Sequence, residues 1–338
     1  MGKMASSNPT RVAIITGISG QVGSYLAEIL LMKNYQVHGV VRDIDRLGQA
    51  SHLKHVVTWH EGSIEDPTTV HQWLATIRPD EYYNLAAISF VPKSLHDPLA
   101  TFSSTGLAVP IALESIRQSG LPVRFFQAGS SEMFGRVETS PQDEATPFRP
   151  MTPYATAKVM AHNAVQNYRH HYGLFACNGI LYNHESPRRG PEFVTRKITM
   201  AVARIVLGLQ SELWLGDLDA KRDWGFAGDF AEAMWQMLQQ PTPSDYVIGT
   251  GKLTSVREVV KTAFQYAGLD YRNYVRVDPA LIRPPETIHR FADISYAQKT
   301  LGWSPSTPME KWLEDMLQQD IERMKHELKT AIPSQQAA

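Results

Sequence analysis

The chain has 338 residues, 43% of them hydrophobic and 20% charged, and its formal net charge is −1. That balance excludes the basic footprint of a nucleic-acid binder and gives no attraction to an anionic membrane, so an anionic ligand must be met by local Arg and Lys. The length exceeds one ordinary core, which predicts one large or two modest domains. The single Cys177 excludes an internal disulfide and fits a reducing, cytoplasmic compartment. It lies inside the apolar run Leu174 to Cys177, a poor setting for a nucleophile. No 18-residue apolar span is expected, and the N-terminus lacks a signal-peptide apolar region. Residues 1–10 and 330–338 read as disordered ends.

Arg11 to Thr16 is an apolar strand. It enters Gly17-Ile18-Ser19-Gly20-Gln21-Val22-Gly23, and the amphipathic segment Ser24 to Lys33 follows. Gln36 to Val41 is a second strand, ending in Arg42-Asp43. Strand, glycine turn, helix and strand make a βαβ unit and hence a parallel sheet. Gly17 permits a tight turn, Gly20 lets the backbone approach a pyrophosphate, and Gly23 lets the helix pack closely on the sheet. Gln21 and Val22 complete the turn at a helix N-terminus, which offers free N–H groups and a positive dipole to an anion. A dinucleotide is the expected cofactor. Arg42 suits a 2′-phosphate and favours NADP, while Asp43 beside it keeps NAD as the less favoured choice.

The pattern then repeats. Val56 to Glu61 is strand-like, Pro67 to Ile77 helix-like and Glu81 to Leu85 strand-like. Ser63 and Ile64 follow the third strand, where an adenine would be flanked. Asn84-Leu85-Ala86-Ala87 ends a strand with small side chains against which a flat ring or ribose can lie; Ser89 lies just beyond and is assigned to both cofactor and substrate. Leu107 to Ser119 is helical, Arg124 to Gln127 is a strand, Tyr154 to Tyr172 is a helix and Phe175 to Leu181 a strand. The whole is a doubly wound parallel α/β (Rossmann) sheet over 11–182. From 183 to 328 the texture changes to a smaller α/β C-terminal lobe, with the chain crossing back into the sheet near 223–250. Helices are expected over Phe193 to Leu207, Phe230 to Gln239, Ser255 to Ala267 and Met309 to Glu327. Short strands are expected over Glu212 to Leu215 and Asp245 to Ile248.

Ser130, Glu132, Tyr154 and Lys158 are the candidate catalytic group. The first two follow a buried strand; the last two are four apart on one helix face. A Lys near a Tyr favours the phenolate, so Tyr154 is expected to have a lowered pKa and to act as a base. His170 and His171 point to different helix faces, and His162 has no Cys or paired Glu at ligand spacing, so no metal is expected.

With GxxGxxG at Gly17–Gly23, NLAA at Asn84–Ala87 and YxxxK at Tyr154–Lys158, the chain resembles the extended short-chain dehydrogenase/reductases that act on nucleotide sugars. Two long strings, Asn178 to Gly190 and Phe193 to Ile198, narrow this, as do Asp219 to Gly225 and Arg283 to Glu286. They are similar to the GDP-mannose 4,6-dehydratase family, from about Val12 to beyond Trp303. The resemblance implies a closed redox cycle on tightly held NADP, giving a GDP-4-keto-6-deoxy sugar from GDP-mannose or a close GDP-sugar such as GDP-manno-heptose. It implies Tyr154, helped by Lys158, as base at the 4-OH, Glu132 as acid and base at C5 and C6, and Ser130 on O4. It also implies His184 and Arg189 on the cofactor, and Asn183, Lys197, Arg222, Arg283 and Glu286 on the substrate.

Three features depart from the family pattern. Ser130 stands for Thr, Phe134 for Tyr, and Asp43 to Leu53 is shorter than the family's Arg- and Ser-rich segment. The short segment weakens the NADP preference and the tetramer, so a homodimer through the helices Leu107–Ser119 and Tyr154–Tyr172 is expected, with a tetramer as the other possibility. A GDP-4-keto-6-deoxymannose reductase of the same fold is the alternative function. A non-catalytic nucleotide-sugar sensor is the alternative from another class.

Overall fold

The computed structural model describes residues 10–282 and 288–331. The reading of the two chain ends as disordered therefore falls mostly outside the described residues, as do the assignments of Arg283 and Glu286. In chain order, the first half holds β1 (Val12–Thr16), α1 (Gln21–Met32), β2 (Gln36–Val41), β3 (Thr58–Glu61), α2 (Pro67–Ile77) and β4 (Glu81–Asn84). It continues with α3 (Val91–His96), α4 (Pro98–Thr101), α5 (Ala108–Ser119), β5 (Arg124–Ala128), α6 (Pro153–Tyr172) and β6 (Ala176–Leu181). The second half holds β7 (Asn183–Glu185), α7 (Val194–Val206), β8 (Leu213–Leu215), β9 (Lys221–Arg222), β10 (Trp224–Phe226) and α8 (Ala227–Gln239). It ends with β11 (Asp245–Ile248), β12 (Thr254–Ser255), α9 (Val256–Tyr266), β13 (Val275–Val277), α10 (Ser295–Leu301) and α11 (Met309–Ala331). Thr330 and Ala331, read from sequence as loose tail, close that last helix.

Seven strands form one parallel sheet in the order β11-β6-β5-β4-β1-β2-β3. The central strands are short apolar runs because helices cover both faces. Successive residues feed opposite layers. Ala13 and Ile15 pack with Leu26, Leu30 and Phe230 from α1 and α8, and Ile14 packs with Leu74, Leu113 and Val165 from α2, α5 and α6. Beyond the sheet, α7, α9 and α11 enclose a separate core around Val202, Phe264 and Trp312. Paired short strands, β8 with β13 and β9 with β12, brace it. Arg196 of α7 meets Asp320 of α11 at 2.6 Å, and Thr199 Oγ1 donates to the same carboxylate at 2.7 Å.

Contrary to expectation, the described residues do include one long apolar span. The 22-residue stretch Pro98–Ser119 is long and apolar enough by composition to cross a membrane. It is a covering helix of the sheet: α4 passes through a π-helical turn, Phe102–Leu107, into α5, whose Val109, Ala112, Leu113 and Ile116 are buried under the strands. Its apolar composition reflects that burial.

The strand order sets the place of a ligand. The chain runs outward from β1 to β2 and β3, then returns to β4 on the other side of β1. A crevice opens at the carboxyl ends of β1 and β4, where the order reverses.

Candidate active site

The crevice is a cleft of ≈ 480 Å³. The glycine turn forms its floor. Gly17 has φ +71°, and a Cβ there would lie 2.7 Å from Ala86 N. A Cβ on Gly23 would lie 2.5 Å from Gly17 O, so a side chain would push α1 off the turn. A buried polar chain fixes the neighbouring strand ends. Thr16 Oγ1 donates to Asn84 Oδ1 at 2.7 Å, Asn84 Nδ2 to Gln127 Oε1 at 2.8 Å, and Gln127 Nε2 to Ala128 O at 2.9 Å. Backbone that can come close to a pyrophosphate, beside a helix N-terminus, fits a dinucleotide.

The sites read from the sequence divide into three groups. Gly17, Gly20, Gln21, Val22, Gly23, Arg42, Ser63, Ile64, Leu85, Ala86, Ala87 and Ser89, read as the cofactor side, line the cleft. Ser130, Glu132, Tyr154, Lys158, Asn183, His184 and Arg189 line the same cleft. Lys197 and Arg222 are not brought into this lining. Lys197 Nζ donates to Trp214 O at 2.7 Å, and Arg222 Nη1 to Lys221 O at 2.7 Å. Asp43, the residue that argued for NAD, turns to its own loop and pairs with Arg46 Nε at 3.1 Å, whereas Arg42 faces the cleft.

Each polar side chain of this second set has a local reason for its place. Ser130 caps the 3₁₀ turn Ser131–Phe134, its Oγ accepting from Glu132 N–H at 3.2 Å. Thr152 caps α6, with Pro153 at the first helical position, so Tyr154 and Lys158 rise from the first turns into the cleft. His184 Nδ1 donates to Tyr182 O at 2.9 Å, leaving Nε2 as an acceptor, and burial pushes its pKa down to about 4. Arg189 lies 3.2 Å from the buried Glu185 and stacks on Phe193 at 3.5 Å.

The lowered pKa expected of Tyr154 is not found. Burial pushes the phenol up to about 12; a hydrogen bond with Ser130 and the charge of Arg189 pull it down less than burial raises it, and Glu132 pushes it up further. Lys158 is itself buried, its pKa pushed down to about 8. It donates to Ala128 O at 2.7 Å and lies 5.8 Å from the centre of the Tyr154 ring. Helix spacing places both on one face; it cannot reveal that the strand-end carbonyl takes the ammonium.

Arg290 was not anticipated. Its Nη1 lies 3.2 Å from Glu132 Oε2. It follows β13 in a loop, outside every motif, and no spacing in the sequence points to it. Among the described residues no group of three His, Cys, Asp or Glu is placed to hold a metal.

A doubly wound sheet with a glycine turn at its switch point, and a buried Tyr and Lys opposite that turn, defines a short-chain dehydrogenase/reductase of the extended kind. A family model described as GDP-mannose 4,6 dehydratase matches residues 14–316. The GDP-mannose 4,6 dehydratase 1 of Arabidopsis thaliana is 45% identical over 94% of this chain and 92% of its own. The GDP-mannose 4,6-dehydratase of Yersinia enterocolitica is 42% identical over 93% of this chain and 94% of its own. The chain belongs to the GDP-mannose 4,6-dehydratase family. Among solved structures, the UDP-glucose 4-epimerase of Thermotoga maritima with UDP-glucose superposes with a TM-score of 0.82, covering 93% of this chain and 99% of that one. At 23% identity it shares the fold.

Proposed function

We propose that this chain converts GDP-mannose to its 4-keto-6-deoxy product as an NADP-dependent hydro-lyase, with Ser130, Glu132, Tyr154 and Lys158 as its catalytic residues. The observation that carries the assignment is the meeting of these four side chains in one cleft with the glycine turn. NADP, which the Gly17–Gly23 turn and Arg42 would hold, would supply the hydride acceptor and donor of the reaction and add positive charge to the cleft that Tyr154 lines.

Tyr154 takes the 4-OH proton as C4 is oxidised. Its phenol needs nearby positive charge to ionise, because burial opposes the phenolate. Lys158 supplies a fixed ammonium one helical turn away. Ser130 hydrogen-bonds O4 and polarises the ketone once it forms. The ketone acidifies C5–H. Glu132 takes that proton and hands it to the departing 6-oxygen, so one water leaves and the carboxylate is restored; Tyr154 then returns the proton it took from the 4-OH to C5 as C6 is reduced, which closes the cycle. Ser89 and Asn183 flank the sugar. Lys197 and Arg222, outside the lining of the cleft, are proposed to meet the nucleotide part of the substrate, and Arg283 and Glu286 are proposed for the same part of the substrate. The orientation of Arg42 into the cleft, with Asp43 turned away, supports NADP over NAD.

The test is mass spectrometry of the product. GDP-mannose without added reductant is expected to give a product one water lighter. GDP-manno-heptose in its place as the sole productive substrate would move the sugar and keep the mechanism. Consumption of NADPH only when a 4-keto sugar is supplied would sink the dehydratase reading in favour of the reductase, which the family relatives do not favour. We further propose a cytoplasmic homodimer. Leu95, Leu99, Leu107 and Met160, on the outer side of the α3–α6 region, are large exposed apolar residues that such pairing would cover. Light scattering that reports a monomer, or a tetramer, would replace it.

A further inference from the structure

Arg290 stands against the residue on which dehydration depends. Its side chain is 13% exposed and that of Glu132 33%. The backbone on both sides of Arg290 is anchored. Ser140 Oγ donates to His289 O at 2.7 Å. Phe291 N–H donates to Gln142 Oε1 at 3.0 Å, and Gln142 N–H returns a bond to Phe291 O at 3.0 Å. Ala292 N–H donates to Asp223 Oδ2 at 3.1 Å. Gln142 and Asp223 are fully buried. The backbone that carries Arg290 therefore has a fixed place, and so does the capped turn that carries Glu132.

A charged neighbour can act on a carboxylate in two ways. It can exchange protons with it, or it can hold it. Arg keeps its charge at every working pH, so it cannot share the proton that Glu132 must take and return. It can hold one oxygen by a charge-assisted hydrogen bond and leave the other free. On the dehydratase reading above, we propose that Arg290 is a positioning residue: it grips Oε2 of Glu132 so that Oε1 faces C5–H and the 6-oxygen of the sugar. The oxidation at C4, carried by Tyr154 and Ser130, does not need this contact. Loss of Arg290 should therefore separate the two halves of the reaction.

The experiment is single-turnover mixing of the NADP-loaded protein with GDP-mannose, followed by NADPH absorbance and by product mass. In the wild type the product should accumulate with little NADPH standing. Arg290→Met should lower kcat roughly 10- to 100-fold, the scale of a misplaced catalytic group. KM should change little, and NADPH should build up because C4 is oxidised while water loss lags. Arg290→Lys should restore part of the rate and reduce the build-up. Unchanged kcat in Arg290→Met overturns the inference. So does an equal loss of NADPH formation and water loss in both variants, which marks a structural role. Wild-type protein that oxidises GDP-mannose but never releases water sinks the dehydratase reading, and this inference with it.

Discussion

Glu132, Tyr154 and Lys158 carry different burdens at the residue scale. Glu132→Gln keeps the shape of the side chain and removes its ability to take a proton. It should lower water loss by roughly 100- to 10,000-fold, the range of general acid–base catalysis. Calorimetric titration should show NADP and GDP binding nearly unchanged; unchanged turnover would remove Glu132 from the reaction. Lys158 offers a pH test. Its folded-state pKa is near 8, below its ordinary 10.5. Between those values the unfolded chain keeps a proton that the folded chain has lost, so unfolding takes up a proton and this group's contribution to stability rises with pH. Below about pH 8 it is a constant penalty. Lys158→Met removes that penalty. The stability of the variant relative to wild type, by denaturant unfolding, should therefore be greatest below pH 8 and shrink towards pH 10.5. A difference flat across that window would contradict the buried ammonium.

The glycine turn makes a graded prediction at the scale of elements. A Cβ at Gly20 would sit 3.3 Å from Gly17 O, a contact that small shifts relieve, while one at Gly23 would sit at 2.5 Å from the same atom. Gly23→Ala must tilt or shift α1; Gly20→Ala need not. The melting temperature should fall more for Gly23→Ala. Fluorescence titration with NADPH should show both losing affinity, Gly20→Ala with little loss of stability. Equal melting temperatures would mean that the helix is not packed as tightly as the turn demands. The same element was readable from sequence because the glycine spacing, the apolar strand before it and the strand after it agree with one another. Elements whose signal is weak were not. The short helices α3 and α4 and the strands β7 and β10 lack a full period of apolar residues, and the π-helical turn at Phe102–Leu107 leaves no sequence period at all.

At the scale of the whole molecule, the C-terminal core rests on an ion pair between α7 and α11. The Arg196–Asp320 pair is buried, at 3% and 1% side-chain exposure. Asp320→Ala would leave Arg196 buried without its partner and should cost about 3–5 kcal/mol in denaturant unfolding. Replacing both residues by apolar ones, as in Arg196→Met with Asp320→Leu, should cost clearly less, because no charge remains to be desolvated. Equal losses in the single and double variants would show that the pair is not desolvated in the fold.

Local signals carried much of this protein. The βαβ start, the parallel sheet, the glycine turn, the strand ends near Ala86 and the Ser130, Glu132, Tyr154 and Lys158 group are each encoded within a few residues. A turn, a cap or a helix face is set by neighbours in the chain. The partners of those residues are set by contacts between distant segments, and only the tertiary structure decided them. Lys158 meets Ala128 O, thirty residues away. Asp43 turns to Arg46 and leaves Arg42 to the cleft. Arg290 reaches Glu132 across 158 positions, because Gln142 and Asp223 hold its loop there. Burial belongs to the same class. It raises the phenol of Tyr154 and lowers the ammonium of Lys158, the reverse of what their spacing predicts for the phenol, since desolvation depends on every segment that closes over the site.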